Sequence, residues 1–413
     1  MAVAAPVFSI TSIRQSNSAS PTIIGTGTYN GVNAVFKIFC SHACEGNDII
    51  IRWLRALNYE RDIYRYINIQ TPEIKKYFVN YLGDIENTTL RQLHENHRLV
   101  IPLENEHILQ ARMAVLRINI DTIINIIITE NTQAITIYDS IERLTNLVVP
   151  EYNNLRIILN NIFDLIISGI HILNNVLRIQ HNDMHFKNIF INEREINYLT
   201  YRTVSIVPPN EQILSRFKIS IFDYDRSFVG NPETNFGNNP LLDTEWHCLV
   251  GNSCNSISYK DYFIFIIECV DIYITYRLRP EYSNVAHYMS ELLNALILDP
   301  AHRELVFQIV NNHLINNMHG YCFSRREDGT IIHTPGAGHN CHDTAAQDDF
   351  LREADGVNWL SRIPANFNAF TNLHIEHLVN PINGIHQYRY NKKYLKYKKK
   401  YLRLKKELKN QYK

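Results

Sequence analysis

His181, Asp183 and Asn188 stand in an H-x-D-x-x-x-x-N spacing inside Ile179–Asn192, and an apolar run follows them. Further on, Asp223 ends a second short apolar run in Lys218-Ile-Ser-Ile-Phe-Asp-Tyr-Asp225. These two segments constrain the fold most, because their chemistry works only if a loop and a strand end meet. Two carboxylates and a carboxamide then form the halves of a phosphoryl-transfer site. In that reading Asp183 would orient an attacking hydroxyl, while Asn188 and Asp223 would hold metal ions on nucleotide phosphates.

The rest of the pattern supplies elements to carry such a site. Phe8–Arg14, Thr22–Tyr29 and Val32–Phe39 read as strands, and Asn30-Gly31 is a type I′ hairpin signal. Residues 50–69 have helical apolar spacing, and Tyr77–Leu82 and Ile123–Thr129 read as further strands. Residues 153–177 read as a buried helix, and Tyr259–Tyr276 and Val285–Leu298 as apolar helices. Residues 193–217 form a polar insertion containing Pro208-Pro209, and 324–347 read as a Gly-, His- and Asp-rich loop.

With these residues in this order, the chain resembles the protein-kinase superfamily. It is most similar to the divergent kinases of large DNA viruses and to haspin-like kinases. The resemblance spans roughly residues 8–320. It implies an α+β, two-lobed protein-kinase-like fold, with a β-rich N-lobe at 8–132 and a mainly helical C-lobe at 133–323. A loop-rich extension at 324–386 and a basic amphipathic helix at 387–413 follow.

The resemblance also implies roles. Lys37, in Ala34-Val-Phe-Lys-Ile-Phe39, bridges the nucleotide α- and β-phosphates, and Glu60 anchors its ammonium. Asp62 and Glu73 are weaker partners, and the bland reading is a strand-edge lysine with a solvated glutamate. Gly25-Thr-Gly-Thr-Tyr-Asn-Gly31 resembles a phosphate-covering loop, but Gly31 lies only six residues before Lys37, which favours the turn between the second and third strands. The phosphate-covering turn is then Gln15–Ser20, where Ser16, Ser18 and Ser20 let backbone N–H groups approach phosphate. Thr129–Thr132 takes the interlobe position, with Glu130 and Asn131 toward the adenine edge.

His181-Asn182-Asp183 replaces the usual H-R-D, and Asp183 accepts the substrate hydroxyl proton. The arginine replaced by Asn182 pairs, in the family, with a phosphorylated segment, so its loss implies an enzyme that does not need that phosphorylation. His185 stands where many protein kinases carry lysine. Lys187 is either a cation near the γ-phosphate or a solvated loop residue. Asp223-Tyr224-Asp225 replaces D-F-G, and Asp225 either binds metal or pairs with Arg226. Asp261 is the candidate brace for the catalytic-loop backbone, against a solvated first-turn aspartate. ATP with Mg²⁺ or Mn²⁺ is the implied cofactor set.

Composition bounds the setting. With 413 residues, 45% hydrophobic and 20% charged, the chain suits a soluble globular protein. It offers no run of about 18 uncharged apolar residues for a membrane span, and Met1–Ile10 lacks the basic start of a secretory signal. Seven cysteines without a framework fit a reducing compartment. The expected location is intracellular, in host cytoplasm or virion, and not secreted.

The net charge of zero hides an asymmetry. Residues 388–413 carry twelve Lys/Arg and one Glu, which leaves 29 basic against 40 acidic residues in the body. Tyr390, Tyr394, Tyr397, Tyr401, Leu404 and Leu408 repeat in a 4-3 alternation. That helix suits a helix partner, an anionic nucleic acid or membrane surface, or docking on the acidic body. His333, His339, Cys341 and His342, and separately His247, Cys248 and Cys254, could ligate zinc, but packing is the default reading for both.

The leading expectation is an ATP-dependent Ser/Thr protein kinase acting on a protein substrate. A kinase-fold small-molecule phosphotransferase of choline- or aminoglycoside-kinase type is the alternative, and a catalytically weak pseudokinase scaffold is the third reading.

Overall fold

A computed structural model describes residues 8–13, 22–40, 48–96, 109–110, 113, 119–132, 134–145, 152–192, 215–230, 260–316, 323–325, 331–333 and 359–371. Three strands open the chain: β1 (Phe8–Ile13), β2 (Thr22–Tyr29) and β3 (Val32–Cys40). Asn30 and Gly31 take φ of 50° and 80°, as a type I′ turn requires, so β2 and β3 pair from Thr22↔Phe39 to Tyr29↔Val32.

Gly25 and Gly27 face β1, where the register slips between Ile10 and Ser12. A Cβ on Gly27 would lie 1.8 Å from the Ser9 carbonyl oxygen. This glycine therefore serves strand approach, as the spacing to Lys37 implied. Gly27→Ala should lower stability by about 1–3 kcal/mol through overpacking, read as an earlier urea midpoint with an unchanged slope.

Helix α1 (Asp48–Asn68) buries Ala56, Leu57, Tyr59, Glu60, Ile63, Tyr64 and Ile67, a stripe of helical period. The short α2 (Pro72–Lys75) leads to β4 (Tyr81–Thr88), then α3 (Leu90–Asn96) and β5 (Ile124–Glu130). The sheet order is β1-β2-β3-β5-β4, antiparallel throughout. The strand expected over Tyr77–Leu82 is displaced. Tyr77, Phe78 and Val79 are buried because they reach the other lobe, where Ile221 N donates to Tyr77 O (2.9 Å) and Val79 N to Ile221 O (3.1 Å). Their apolar run imitates a strand. The true β4 is half-exposed at the sheet edge and carries little apolar signal.

The second lobe begins with β6 (Ala134–Thr136) and α4 (Ile137–Thr145). Thr136 Oγ1 accepts from Asp139 N (3.1 Å) and donates to Asp139 Oδ2 (2.7 Å), closing the helix start. Helix α5 (Tyr152–His171) forms the core and ends in a π turn, Ile172–Val176. By length and composition, Tyr152–Val176 is the one helix among the described residues that could cross a membrane, yet 61% of its apolar window is buried inside the protein.

Next come β7 (Ile179–Gln180), β8 (Ile189–Asn192), β9 (Ile219–Ile221) and β10 (Phe228–Val229). β6, β8 and β9 form one small sheet, and β7 pairs with β10. Helices α6 (Lys260–Tyr276), α7 (Ser283–Leu296) and α8 (Pro300–Asn316) follow. The hairpin β11 (Phe323–Arg325) and β12 (Ile331–His333) comes before α9 (Ile363–Thr371). Part of the 324–347 segment read as loop is thus a hairpin arm. The architecture is the expected α+β one: a sheet with a flanking helix, then a helical lobe.

Candidate functional site

Lys37 sits mid-strand on β3, opposite Ile24 and Ile127. Its Nζ lies 2.7 Å from Glu60 Oε2 and 2.8 Å from Asp223 Oδ1. Strand, helix and D-Y-D segment thus converge on one ammonium. Burial opposes the charge on Lys37, but the carboxylates of Asp223 and Glu60 outweigh it and hold the ammonium above its ordinary range. Glu60 is 1% exposed, and burial lifts its carboxyl against the pull of Lys37. For Asp223, burial works upward and Lys37 prevails downward, so this group stays a carboxylate. Among Glu60, Asp62 and Glu73, only Glu60 reaches Lys37.

The loop from His181 to Asn188 is held from below by α6. Asp261, fully buried, accepts from His181 N (2.8 Å), Asn182 N (2.9 Å) and Asn174 Nδ2 (2.7 Å). The brace reading of Asp261 is the one the structure adopts. Two turns along the same helix face, Glu268 accepts from Phe186 N at 2.9 Å. Sequence reasoning missed this residue, since its partner lies on a loop that nothing in the helix pattern places above it.

Burial pushes Glu268 up from the usual 4.5 to about 7. Between those values the folded protein keeps a proton that the unfolded chain gives up, so stability falls as pH rises through this window. Glu268→Gln keeps an acceptor for Phe186 N–H and removes the charge. It should gain about 1–3 kcal/mol over the parent near pH 8 and nothing near pH 4, in paired urea titrations.

Asp183, 5% exposed, has both oxygens engaged. Oδ2 accepts from Asn188 Nδ2 (3.1 Å) and lies 3.7 Å from His185 Nε2, while Arg226 Nη1 lies 3.3 Å from Oδ1. Asn188 Nδ2 also donates to the Asp183 carbonyl (3.0 Å). His181 is buried, with Nε2 2.9 Å from the Phe222 carbonyl. It therefore ties the two motifs together and does not face the cleft. His185 Nδ1 accepts from Lys187 N (3.2 Å), and burial holds its imidazole below the ordinary value against the field of Asp183.

Within the H-N-D and D-Y-D segments, Asn182 at φ 64° and Asp223 at φ 68° adopt left-handed backbone. Asparagine and aspartate enter this region more readily than other side chains, at a cost of about 1–3 kcal/mol of the kind that clusters at functional sites. Asp223 N donates to Tyr64 Oη (3.3 Å), and Tyr224, fully buried, packs edge-on to Tyr64 with its hydroxyl on Ile221 O (2.9 Å). Burial, then Asp223, pushes the Asp225 carboxyl well above its usual range, opposed by Lys37 and Arg226. Arg226 also reaches across to Asp183, a partner the sequence reading did not assign.

Some expected site residues behave differently. Ser16, Ser18 and Ser20 lie outside the described residues, as do His247, Cys248, Cys254, His339, Cys341, His342 and the tail. Glu130 ends β5 and Asn131 follows it at the passage between the lobes. Their N–H groups are already donated to Asn80 O and Asn33 O, each at 2.9 Å. Lys187 is exposed, with its ammonium 5.5 Å from the centre of the Tyr138 ring. Its charge is felt by Glu268 and Asp271.

No group of three His, Cys, Asp or Glu side chains among the described residues is arranged to hold a metal by itself. Asp223, ionised and 32% exposed in its side chain, and the carboxamide oxygen of Asn188 are hard donors that fit Mg²⁺ or Mn²⁺. Such ions take one or two protein oxygens and complete their shell with phosphate and water.

No family model matches the chain, and no curated protein matches it. Solved structures do. WaaP in complex with acyl carrier protein is 11% identical with a TM-score of 0.33, over 73% of this chain and 88% of that one. A Plasmodium kinase domain is 12% identical with a TM-score of 0.32, over 69% of this chain, which spans 62% of its length. At these TM-scores the likenesses carry no argument, and the reading of the site rests on the geometry of its own residues.

Proposed function

We propose that the protein is a phosphotransferase of protein-kinase type, moving the γ-phosphoryl group of ATP to a serine or threonine hydroxyl of a protein. One observation carries this reading: Lys37 joins Glu60 and Asp223 in a single ion-pair chain, in the cleft that also presents Asp183 and Asn188. Lys37 is the charge for the α- and β-phosphates, and Glu60 keeps it extended into the cleft. Asp183 receives and orients the acceptor hydroxyl. Asn188 and Asp223 are the ligands for Mg²⁺ or Mn²⁺, which when bound would offset phosphate charge.

A small-molecule acceptor is the second reading. It is compatible with His185, 3.7 Å from Asp183, in a position where haspin-like kinases and small-molecule phosphotransferases both often carry histidine.

Purified protein with labelled ATP and Mg²⁺, offered basic proteins, acidic proteins, choline and an aminoglycoside, tests both. Label on a protein supports the proposal. Label only on a small molecule replaces it with the second reading. No label anywhere, with no ATP-induced thermal stabilisation, sinks both and leaves a scaffold.

A further inference from the structure

The cation beside Asp183 comes from an unexpected place. Lys187, on the catalytic loop itself, points over Tyr138. Arg226 instead follows the D-Y-D segment and reaches Asp183 Oδ1 with Nη1 at 3.3 Å. Its own position is fixed from the catalytic loop: Asn182 Nδ2 donates to the Arg226 carbonyl (2.9 Å), and Gln180 Nε2 donates to Asn182 Oδ1 (2.7 Å). The left-handed backbone at Asn182 presents this side chain to the Arg226 turn. The guanidinium is three-quarters buried, its Nε–H is buried without a partner, and Asp223 and Asp225 hold its charge in place.

Asn188 and Arg226 thus divide Asp183 between them, one donor per oxygen. Asn188 fixes Oδ2, and Arg226 fixes Oδ1. A guanidinium suits this position because its planar fork can hold a carboxylate and still present further N–H donors.

We propose that Arg226 is the positioning residue of the transfer. It orients Asp183 toward the acceptor hydroxyl and supplies the fixed positive charge there that Lys187 does not. This rests on the phosphotransferase reading. In the step it serves, the acceptor oxygen bonds to Pγ, and the bond from Pγ to the β–γ bridging oxygen breaks. The electron pair of that bond leaves with ADP, and the hydroxyl proton passes to Asp183. Arg226 exchanges no proton and forms no bond.

The test compares the parent, Arg226→Ala and Arg226→Gln for kcat and for the KM of ATP, with and without added millimolar guanidinium chloride. Loss of one preorganised donor predicts a kcat lower by about 10²-fold in Arg226→Ala. The KM for ATP should stay near that of the parent, since Lys37 binds the α- and β-phosphates. Free guanidinium should restore part of the Arg226→Ala rate and none of an Asp183→Asn rate, which a merely structural role would not produce. Arg226→Gln keeps the bulk and a donor but not the charge; it should fold and still be slow, which decides the matter if the alanine variant does not fold. A parent-like kcat in either variant, no rescue by guanidinium, or a rate above the parent would overturn the proposal. If the parent transfers nothing to any acceptor, the phosphotransferase reading fails first and takes this one with it.

Discussion

Asp183→Asn will fold like the parent and keep ATP-induced thermal stabilisation, yet lose about a thousandfold in phosphoryl transfer. The substitution preserves shape. It replaces the oxygen pair that Asn188 and Arg226 hold with one oxygen and one amide, so the site remains built but cannot accept the hydroxyl proton. Lys37, Glu60 and Asp223 form a separate ion-pair chain and are untouched, so nucleotide binding should persist. The measurement is kcat with labelled ATP beside a melting curve with and without nucleotide. Retention of more than a tenth of the parent rate would show that Asp183 is not the hydroxyl acceptor.

Asp261→Ala should cost about 3–5 kcal/mol, because removing a buried acceptor strands the donors that faced it. Those donors are the N–H groups of His181 and Asn182, both in fully buried residues, and the part-buried carboxamide of Asn174. The loss would appear as a fall in the denaturant midpoint at unchanged slope. Transfer should fall with it, since those two amides start the segment that carries Asp183. A change below about 1 kcal/mol would mean that water or a shifted backbone replaces the carboxylate, and would reduce Asp261 to an ordinary helix-start residue.

Much of the site was legible because its parts are local. The strand around Lys37 and the helix around Glu60 each follow from periodicity, and the tight spacing from His181 to Asn188 leaves the loop little freedom. Asp261 was legible as the lone acid opening an apolar helix. What escaped depends on contacts that no spacing encodes. The reach of Arg226 to Asp183 follows from left-handed backbone at Asn182 and Asp223, two torsions that residue identity permits but does not demand. Glu268 escaped because an acid inside an apolar helix has no visible partner until the loop above it is placed. The sheet boundary at Tyr77 was misread because burial by another lobe and burial by a neighbouring strand leave the same apolar trace.

The backbone bridge from Tyr77 and Val79 to Ile221 bears on how the chain can be divided. By sequence order residues 77–79 belong to the first lobe, yet their side chains are 2–7% exposed because the second lobe covers them. A Cβ placed on Gly169 would lie 3.7 Å from that of Tyr77, so this ring enters the packing of α5 itself. Cutting the chain between residues 132 and 133 would strip this cover from the first fragment and leave an open groove along α5 and β9 in the second. Each piece would then carry a sticky scar in place of a shared interior. The passage between the lobes is therefore a seam in the shape of the molecule and not a seam in its folding, and the two halves are best made as one polypeptide.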